Sequence, residues 1–297
     1  MNYIDLHMHS NFSIDGDYTP QDLLNMARQQ NIQIVSITDH NSVKAYQSII
    51  HVQDITLIPG IEIDCSFQGK DFHLLGYGID VHDPIYEKIE QDIMKQEQEC
   101  SQKRLSLIKE NLHLEIDEEQ LKEISPFGIY VPETICEIAM KDERNKDNPY
   151  LQPYFPQGKR SDNPYVNFYW DYCSQGKIAY TKINYISMEE AISLYHKQGG
   201  IAVLAHPGNN VKEDIQLMND IRNLGIDGIE VYSSYHKHEQ IKFYHDICQK
   251  YNLIETAGSD FHGKTKPSVS MGLCHMPEEQ EETLIKTILS LKRGCDR

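Results

Sequence analysis

Five short apolar runs in this chain each close on a histidine or an acid, and helical stretches separate most of them. Tyr3 to Leu6 leads into His7-Met8-His9, and Ile32 to Ile37 into Thr38-Asp39-His40. Ile55 to Ile63 holds Glu62 near its end, Ile201 to Leu204 leads into His206, and Leu253 to Ala257 leads into Asp260-Phe261-His262. Strand and helix in alternation predict an α/β fold with a parallel sheet. In such a fold the carboxyl ends of the strands converge on one face, so residues far apart in sequence meet there. That convergence, more than any single motif, points to a metal site.

His7 and His9 by themselves carry little weight. With 14 histidines in 297 residues, about 0.7 such pairs arise by chance, and His236/His238 is a second. In a strand, however, side chains two apart share a face, so His7 and His9 can reach one ion. His73, at the start of a run from Phe72 to Ile79, adds another imidazole close to Glu62 in order.

Between these runs the helix starts are legible. Thr19 caps a helix with Pro20 at its first position and Asp22 in its first turn. Ser42 is expected to cap a helix with Val43, Tyr46, Ile49 and Ile50 on one face. Ser187-Met188-Glu189-Glu190 fits a capping box. From Pro84 the alternation lapses: a long charged helical stretch to about Leu112 is followed by further helical pieces and an Asn/Asp/Pro/Tyr-rich segment from Asp142 to Tyr172. Residues 84–175 are therefore expected to be a mainly helical insertion capping an α/β barrel made of residues 1–83 and 176–297.

The chain carries 28 basic and 45 acidic residues, net −17. This argues against broad binding to nucleic acid or an anionic membrane. A phosphorylated substrate stays compatible, because bound divalent cations reverse the field of one cleft. Seven scattered cysteines with no Cys-x-x-Cys fit a reduced compartment. A strand starting at residue 3 leaves no room for a signal peptide and no apolar run spans a bilayer, so a soluble cytoplasmic protein is expected.

The order of motifs carries a resemblance. His7-x-His9, Asp15-Gly16 before Thr19-Pro20, Thr38-Asp39-His40, Pro59-Gly60-Ile61-Glu62, His73-Leu74-Leu75-Gly76, Ala205-His206-Pro207-Gly208 and Ser259-Asp260-Phe261-His262 together resemble the PHP superfamily, the polymerase and histidinol phosphatase domain. The resemblance implies a distorted (β/α)7 barrel with a trinuclear metal centre. It is closest to members with a helical insertion that act on nucleoside 3′,5′-bisphosphates or RNA 5′ ends. By motif, His7, His9, Glu62 and Asp260 would hold one metal. Glu62 would bridge to a second, completed by His73 and His206, and Asp15, His40 and His262 would hold a third. Asp15 rather than Asp17 is assigned from the Gly and Pro that follow.

Mixed imidazole and carboxylate ligands suit three divalent ions of Mn, Fe or Zn. The expected chemistry is direct hydrolysis by a hydroxide that bridges metals held by Glu62 and Asp260. Asp39 would orient a liganding imidazole, or equally cap the helix after Ser42. His236 matches a family segment that contacts substrate phosphate, while Lys182 and Arg160 are candidates for a second phosphate that read equally as solvated charges. His51, His82, His113, His196, His238, His245 and His275 read as structural or exposed. Where relatives show an Arg-Pro-His-type segment, this chain has Val131-Pro132-Glu133.

The expected function is a metal-dependent phosphoesterase acting on a small, nucleotide-like phosphorylated substrate, most readily a nucleoside 3′,5′-bisphosphate, with no stable nucleic-acid complex. The alternative on the same metals is 5′→3′ exonuclease action on short RNA, which would need a basic lane. An amidohydrolase acting on C–N bonds would expect a bridging lysine where Glu62 stands. A non-catalytic metal-binding module is the remaining rival, and the filled ligand positions count against it. Oligomeric state, pathway and the native metal are open.

Overall fold

The computed structural model describes residues 3–49, 52 and 54–295. Ile50 and His51, named above, lie outside them. The strands sort into two sheets. In the first, β1 (Ile4–Met8), β2 (Ile34–Ile37) and β3 (Thr56–Leu57) are parallel. The second contains β4 (Gly60–Phe67), β5 (Lys70–Tyr77), β6 (Ile186–Ser187), β7 (Ile201–Leu204), β8 (Gly228–Ser233) and β9 (Ile254–Gly258), in the spatial order β6-β4-β5-β7-β8-β9.

Two seams join the sheets. Met8 bridges to Phe261 and His40 to Glu62. Backbone hydrogen bonds from Asp260 N to His7 O (2.7 Å), His9 N to Phe261 O (2.9 Å) and Asn41 N to Glu62 O (2.8 Å) reinforce them. The described strands do not make one closed sheet of seven parallel members; the architecture is mixed α/β.

The departure from the expected parallel order is local and has a cause. β4 and β5 form an antiparallel hairpin through Gln68-Gly69, both at positive φ (49° and 73°), the backbone that a two-residue hairpin turn demands. β5 is antiparallel to β7 as well. Since residues directly opposite each other share a face, the register that sets His73 against Asp64 puts Glu62, Asp64 and His73 on one side of the sheet.

Helices α1 (Pro20–Gln29) and α2 (Lys44–Ser48) follow β1 and β2. The Thr19 side chain accepts from Asp22 N at the start of α1, as its sequence predicts. At α2 the residue before the first turn is Val43, which has no capping side chain; Ser42 Oγ accepts from Lys44 N at 3.3 Å, and Asp39 turns instead to Ser10 and Ser13. α3 (Pro84–Leu112) is one continuous helix, followed by α4 (Glu118–Ile124), α5 (Pro132–Lys141) and α6 (Pro164–Phe168). Then come α7 (Met188–Lys197), with its Ser187/Glu190 capping box present, α8 (Pro207–Asn210), α9 (Ile215–Asn223), α10 (His238–Tyr251) and α11 (Glu278–Cys295). No described helix is long and apolar enough to cross a membrane.

Packing divides α3 between two apolar clusters. Its first half buries Tyr86, Ile89 and Ile93 in the core beneath the six-stranded sheet. The second half buries Leu105, Ile108 and Leu112 in a separate apolar cluster with Leu121, Ile135 and Phe168. One helix thus belongs to two cores and ties the insertion to the sheets.

Candidate metal centre

Strand alternation turns His7 and His9 to the same side at the end of β1. Each donates its Nδ1 proton away from the other. His7 Nδ1 meets Glu230 Oε1 at 2.9 Å, and His9 Nδ1 meets Ser13 Oγ at 3.0 Å. Ser13 in turn donates to Asp39 Oδ1 (3.2 Å), which also accepts from Ser10 N (2.6 Å). With Nδ1 protonated, each Nε2 presents a lone pair, and the two lie 3.1 Å apart. Glu62 Oε2 sits 3.1 Å from both, and Asp260 Oδ1 sits 3.4 Å from His7 and 3.2 Å from His9. Four electron-pair donors aimed at one point repel one another unless a cation lies among them. The residues fit a metal.

The other carboxylate oxygen of Glu62 faces a second group: His73 Nδ1 at 3.0 Å and His206 Nε2 at 3.1 Å. A third contains His9, Asp15, His40 and His262. There His262 donates Nδ1 to the Asp260 carbonyl (2.9 Å), leaving its Nε2 lone pair 3.2 Å from Asp15 Oδ2, again an arrangement that calls for a cation. Asp15 Oδ1, His40 Nδ1, His206 Nδ1, Asp260 Oδ1 and His262 Nε2 are buried without hydrogen-bond partners, which a hydrogen-bonded core avoids. His206 and Asp260 hold φ of 25° and 58°, backbone strain of the kind found where a side chain must be aimed.

Electrostatics agree with ligation. Burial alone would raise Glu62 and Asp260. The imidazoles of His7, His73 and His40 around Glu62, and Lys266 with His7 and His262 around Asp260, nevertheless hold both carboxyls well below the usual range. Burial, with the neighbouring His262 and His40, lowers His9 to about 3, keeping its lone pair free. His7, His40 and His73 go the other way: burial would lower each, but Glu62, Glu230 and Asp260 raise His7, Glu62, Asp64 and Asp15 raise His40 to about 10, and Glu62 and Asp64 raise His73, so ions bound there must displace protons.

All nine expected metal ligands come together: His7, His9, Asp15, His40, Glu62, His73, His206, Asp260 and His262. Asp17 is exposed and accepts from Lys264 N at 3.5 Å, whereas Asp15 is the carboxylate grouped with His9, His40 and His262. Asp39 touches no imidazole; it holds Ser10 and Ser13, and Ser13 holds His9.

The three expected phosphate contacts are elsewhere. His236 is buried, with Nδ1 donating to Val231 O (2.8 Å) and Nε2 accepting from Gly208 N (2.9 Å), which leaves no ring nitrogen for a ligand. Lys182 is exposed. Arg160 is paired with Asp171 at 2.9 and 3.1 Å. None of the three lines the pocket above the cluster.

Several residues at the site escaped the sequence reading. Asp64 groups with His40 and His73; only the antiparallel register reveals it. Glu230, fully buried in β8, accepts from His7 Nδ1 and, through its other oxygen, from His206 N (2.8 Å). A lone acid within an otherwise buried strand was the available signal. Lys266, 7% exposed, pairs with Asp260 at 2.7 Å. Glu133 of α5 lines the pocket, and burial, reinforced by the Asp15 charge, pushes it up to about 7 against the pull of Arg104 and Lys266.

Comparisons with known proteins give a consistent picture. A family model described as "PHP domain" matches residues 5–197. The chain is 25% identical over 265 residues to a phosphoribosyl 1,2-cyclic phosphate 1,2-diphosphodiesterase of Eggerthella lenta, covering 88% of this chain and 94% of that protein. It is 27% identical over 267 residues to a 5′-3′ exoribonuclease of Haemophilus influenzae (87% and 89% covered). With a 3′,5′-nucleoside bisphosphate phosphatase of Chromobacterium violaceum it shares 24% over 273 residues (87% of each). Among solved structures, a protein from Bifidobacterium adolescentis described as a metal-dependent phosphoesterase superposes with a TM-score of 0.71 at 21% identity, over 97% of this chain and 96% of that one. That likeness is one of fold.

Proposed function

Because the chain belongs to the PHP domain family, we propose that its cluster holds three divalent ions and that the pocket above hydrolyses the phosphate ester of a small phosphorylated metabolite. The chain is a metal-dependent phosphoesterase, hence a hydrolase; the ion count and the substrate class are inferred. Glu62 is the observation that carries the inference. It is fully buried, and its two oxygens face two different sets of imidazoles at 3.0 to 3.1 Å, the posture of a carboxylate shared between ions. His7, His9 and Asp260 would complete one site, His73 and His206 the second, and Asp15, His40 and His262 the third.

Bound ions would supply Lewis acidity toward a phosphoryl oxygen and an activated water near neutral pH. The protein's own part is orientation. Glu230 and Ser13 fix the tautomers of His7 and His9 so that both Nε2 lone pairs point inward. Lys266 neutralises Asp260 and brings a cation to the pocket wall, where it can meet a phosphate oxygen. The insertion roofs the pocket with Tyr169, Trp170 and Val166, and excluding water there strengthens each charge interaction inside.

The test is phosphate release by the Mn-loaded, metal-counted chain from adenosine mono- and bisphosphates, beside mononucleotide release from a 5′-phosphorylated short RNA. Turnover of the small substrates is expected. A chain that binds three ions yet releases nothing from any of them would sink the proposal. One that prefers RNA would replace it with the exonuclease reading.

A further inference from the structure

We propose that Asp64 is a positioning residue shared by two of the metal sites: one of its oxygens takes the outward-facing protons of His73 and His40, and so turns the other nitrogen of each ring toward its ion. The inference rests on the three-ion reading of the cluster and adds a tenth residue to the nine that would hold the ions. Glu62 and Asp64 stand two apart on β4 and so share a face of the strand. The antiparallel register sets His73 directly across from Asp64. Strand period and strand pairing together bring this second carboxylate to the cluster.

Asp64 is held in one orientation. Asn41, next to His40, sits in the left-handed region at φ 57°, which Asn visits more readily than most residues. Its Oδ1 accepts from Asp64 N at 3.0 Å, and its Nδ2 donates to Asp64 Oδ2 at 2.7 Å. That clasp leaves Asp64 Oδ1 facing the rings, 3.3 Å from His73 Nε2 and 3.5 Å from His40 Nδ1. The opposite nitrogens face other ligand groups: His73 Nδ1 is 3.0 Å from Glu62 Oε1, and His40 Nε2 is 4.0 Å from Asp15 Oδ2. His40 Nδ1 also has Glu62 Oε2 at 3.4 Å, yet it is buried without a hydrogen-bond partner. With Glu62 committed to two ions, Asp64 is the acceptor left for it.

A neutral imidazole carries one proton and one lone pair. If His73 meets an ion through Nδ1 and His40 through Nε2, the remaining nitrogens are donors, and a carboxylate oxygen between them satisfies both. An ion placed instead among Asp64, His40 and His73 would require each ring to give up both protons and serve two ions. The geometry therefore favours Asp64 as acceptor over Asp64 as ligand. Carboxylates behind liganding imidazoles fix the ring and strengthen it as a donor to the metal. Glu62 would link the first ion to the second, and Asp64 the second to the third. His7, His9, His206 and His262 each face the cluster through Nε2, so binding through Nδ1 gives His73 a signature of its own.

The experiment uses the full chain, labelled with nitrogen-15 histidine and loaded with Zn, as wild type, Asp64→Asn and Asp64→Ala. Long-range proton–nitrogen NMR spectra report the tautomer of each ring, and competition with a chromophoric chelator reports the ions. Wild type should show a liganding ring bound at Nδ1 and protonated at Nε2. In Asp64→Asn the Asn41 clasp keeps the amide oxygen on its own side and turns the NH2 at the two rings. The signature should then vanish, and two of the three ions should leave about ten- to hundredfold more readily, with the third held as in wild type. Asp64→Ala removes the acceptor without adding a donor; it should weaken the same two ions, and it carries the test if the asparagine variant fails to fold. A wild type without an Nδ1-bound, Nε2-protonated ring overturns the inference, as does unchanged ion release in the variants. A fourth ion in wild type that Asp64→Asn loses overturns it too, since Asp64 would then be a ligand. Fewer than three ions in wild type correct the count, and the His73 signature alone then decides. Phosphate release from adenosine phosphates is read on the same preparations. If the Zn results hold but nothing is hydrolysed, the phosphoesterase reading falls and this inference stands; if wild type takes up no Zn, both fall.

Discussion

The floor of the pocket and its roof are both rich in ionisable groups, yet they are built on opposite principles. On the floor, imidazoles and carboxylates face one another with lone pairs converging and several atoms unpartnered. On the roof the charges cancel locally, as Arg104 does with Glu97. A floor of that kind is stable only with an ion in it, whereas a roof of that kind is complete by itself and shapes what enters. The contrast separates where the chemistry is performed from where the substrate is chosen.

The sharpest way to break the comparison is at Glu62. Glu62→Gln removes the shared carboxylate and should lower kcat/KM by on the order of a thousandfold. Metal content should fall with it; full turnover with a full metal count would show that the floor is not the reacting centre. On the roof the corresponding change is Arg104→Met, which leaves Glu97 uncompensated and buried. It should cost about 3–5 kcal/mol of stability, read by denaturant titration, with the metal count unaltered.

Chelation comes next. Stripping ions from the floor returns four lone pairs to one point, so the melting temperature should drop by several degrees. That corresponds to the loss of about 2.7 kcal/mol for ions held at a hundred times their Kd, and added Mn should restore it. A melting curve indifferent to chelator would contradict the assignment. Glu230→Gln is subtler. An amide can still accept from His7 Nδ1, but its NH2 then confronts His206 N–H, so metal affinity should weaken about ten- to hundredfold, measured by competition with a chromophoric chelator. The smallest expected effect is Arg160→Ala, whose half-exposed ion pair lies away from the pocket; kcat/KM should stay within about twofold, and a larger loss would place Arg160 at the substrate.

Much of the floor was legible because short motifs sit at strand ends, where chain direction alone predicts convergence. His7/His9, His40, His206 and Asp260/His262 needed no tertiary information beyond an α/β architecture. Asp64 was hidden because its place beside His73 depends on β4 and β5 running antiparallel, which alternating helices and strands do not announce. Glu230 and Lys266 were hidden because their partners, His7 and Asp260, are set by strand and loop neighbours and not by sequence spacing.

The phosphate contacts expected at His236, Lys182 and Arg160 fall outside the pocket lining for a related reason. A basic residue near the right element in sequence says nothing about which neighbour takes up its charge or its hydrogens. Val231 O and Gly208 N engage His236, Asp171 engages Arg160, and Lys182 is exposed with the Asp71 charge near it.

The sequence by itself determined the α/β class and the set of histidines and acids at the strand ends, since periodicity and strand-end placement are local properties. Tertiary structure decided the two-sheet arrangement, the hydrogen-bond partners behind the ligands and the pairing of charges on the roof. Those depend on which atoms come within about 3 Å of one another across the fold, and only packing settles that.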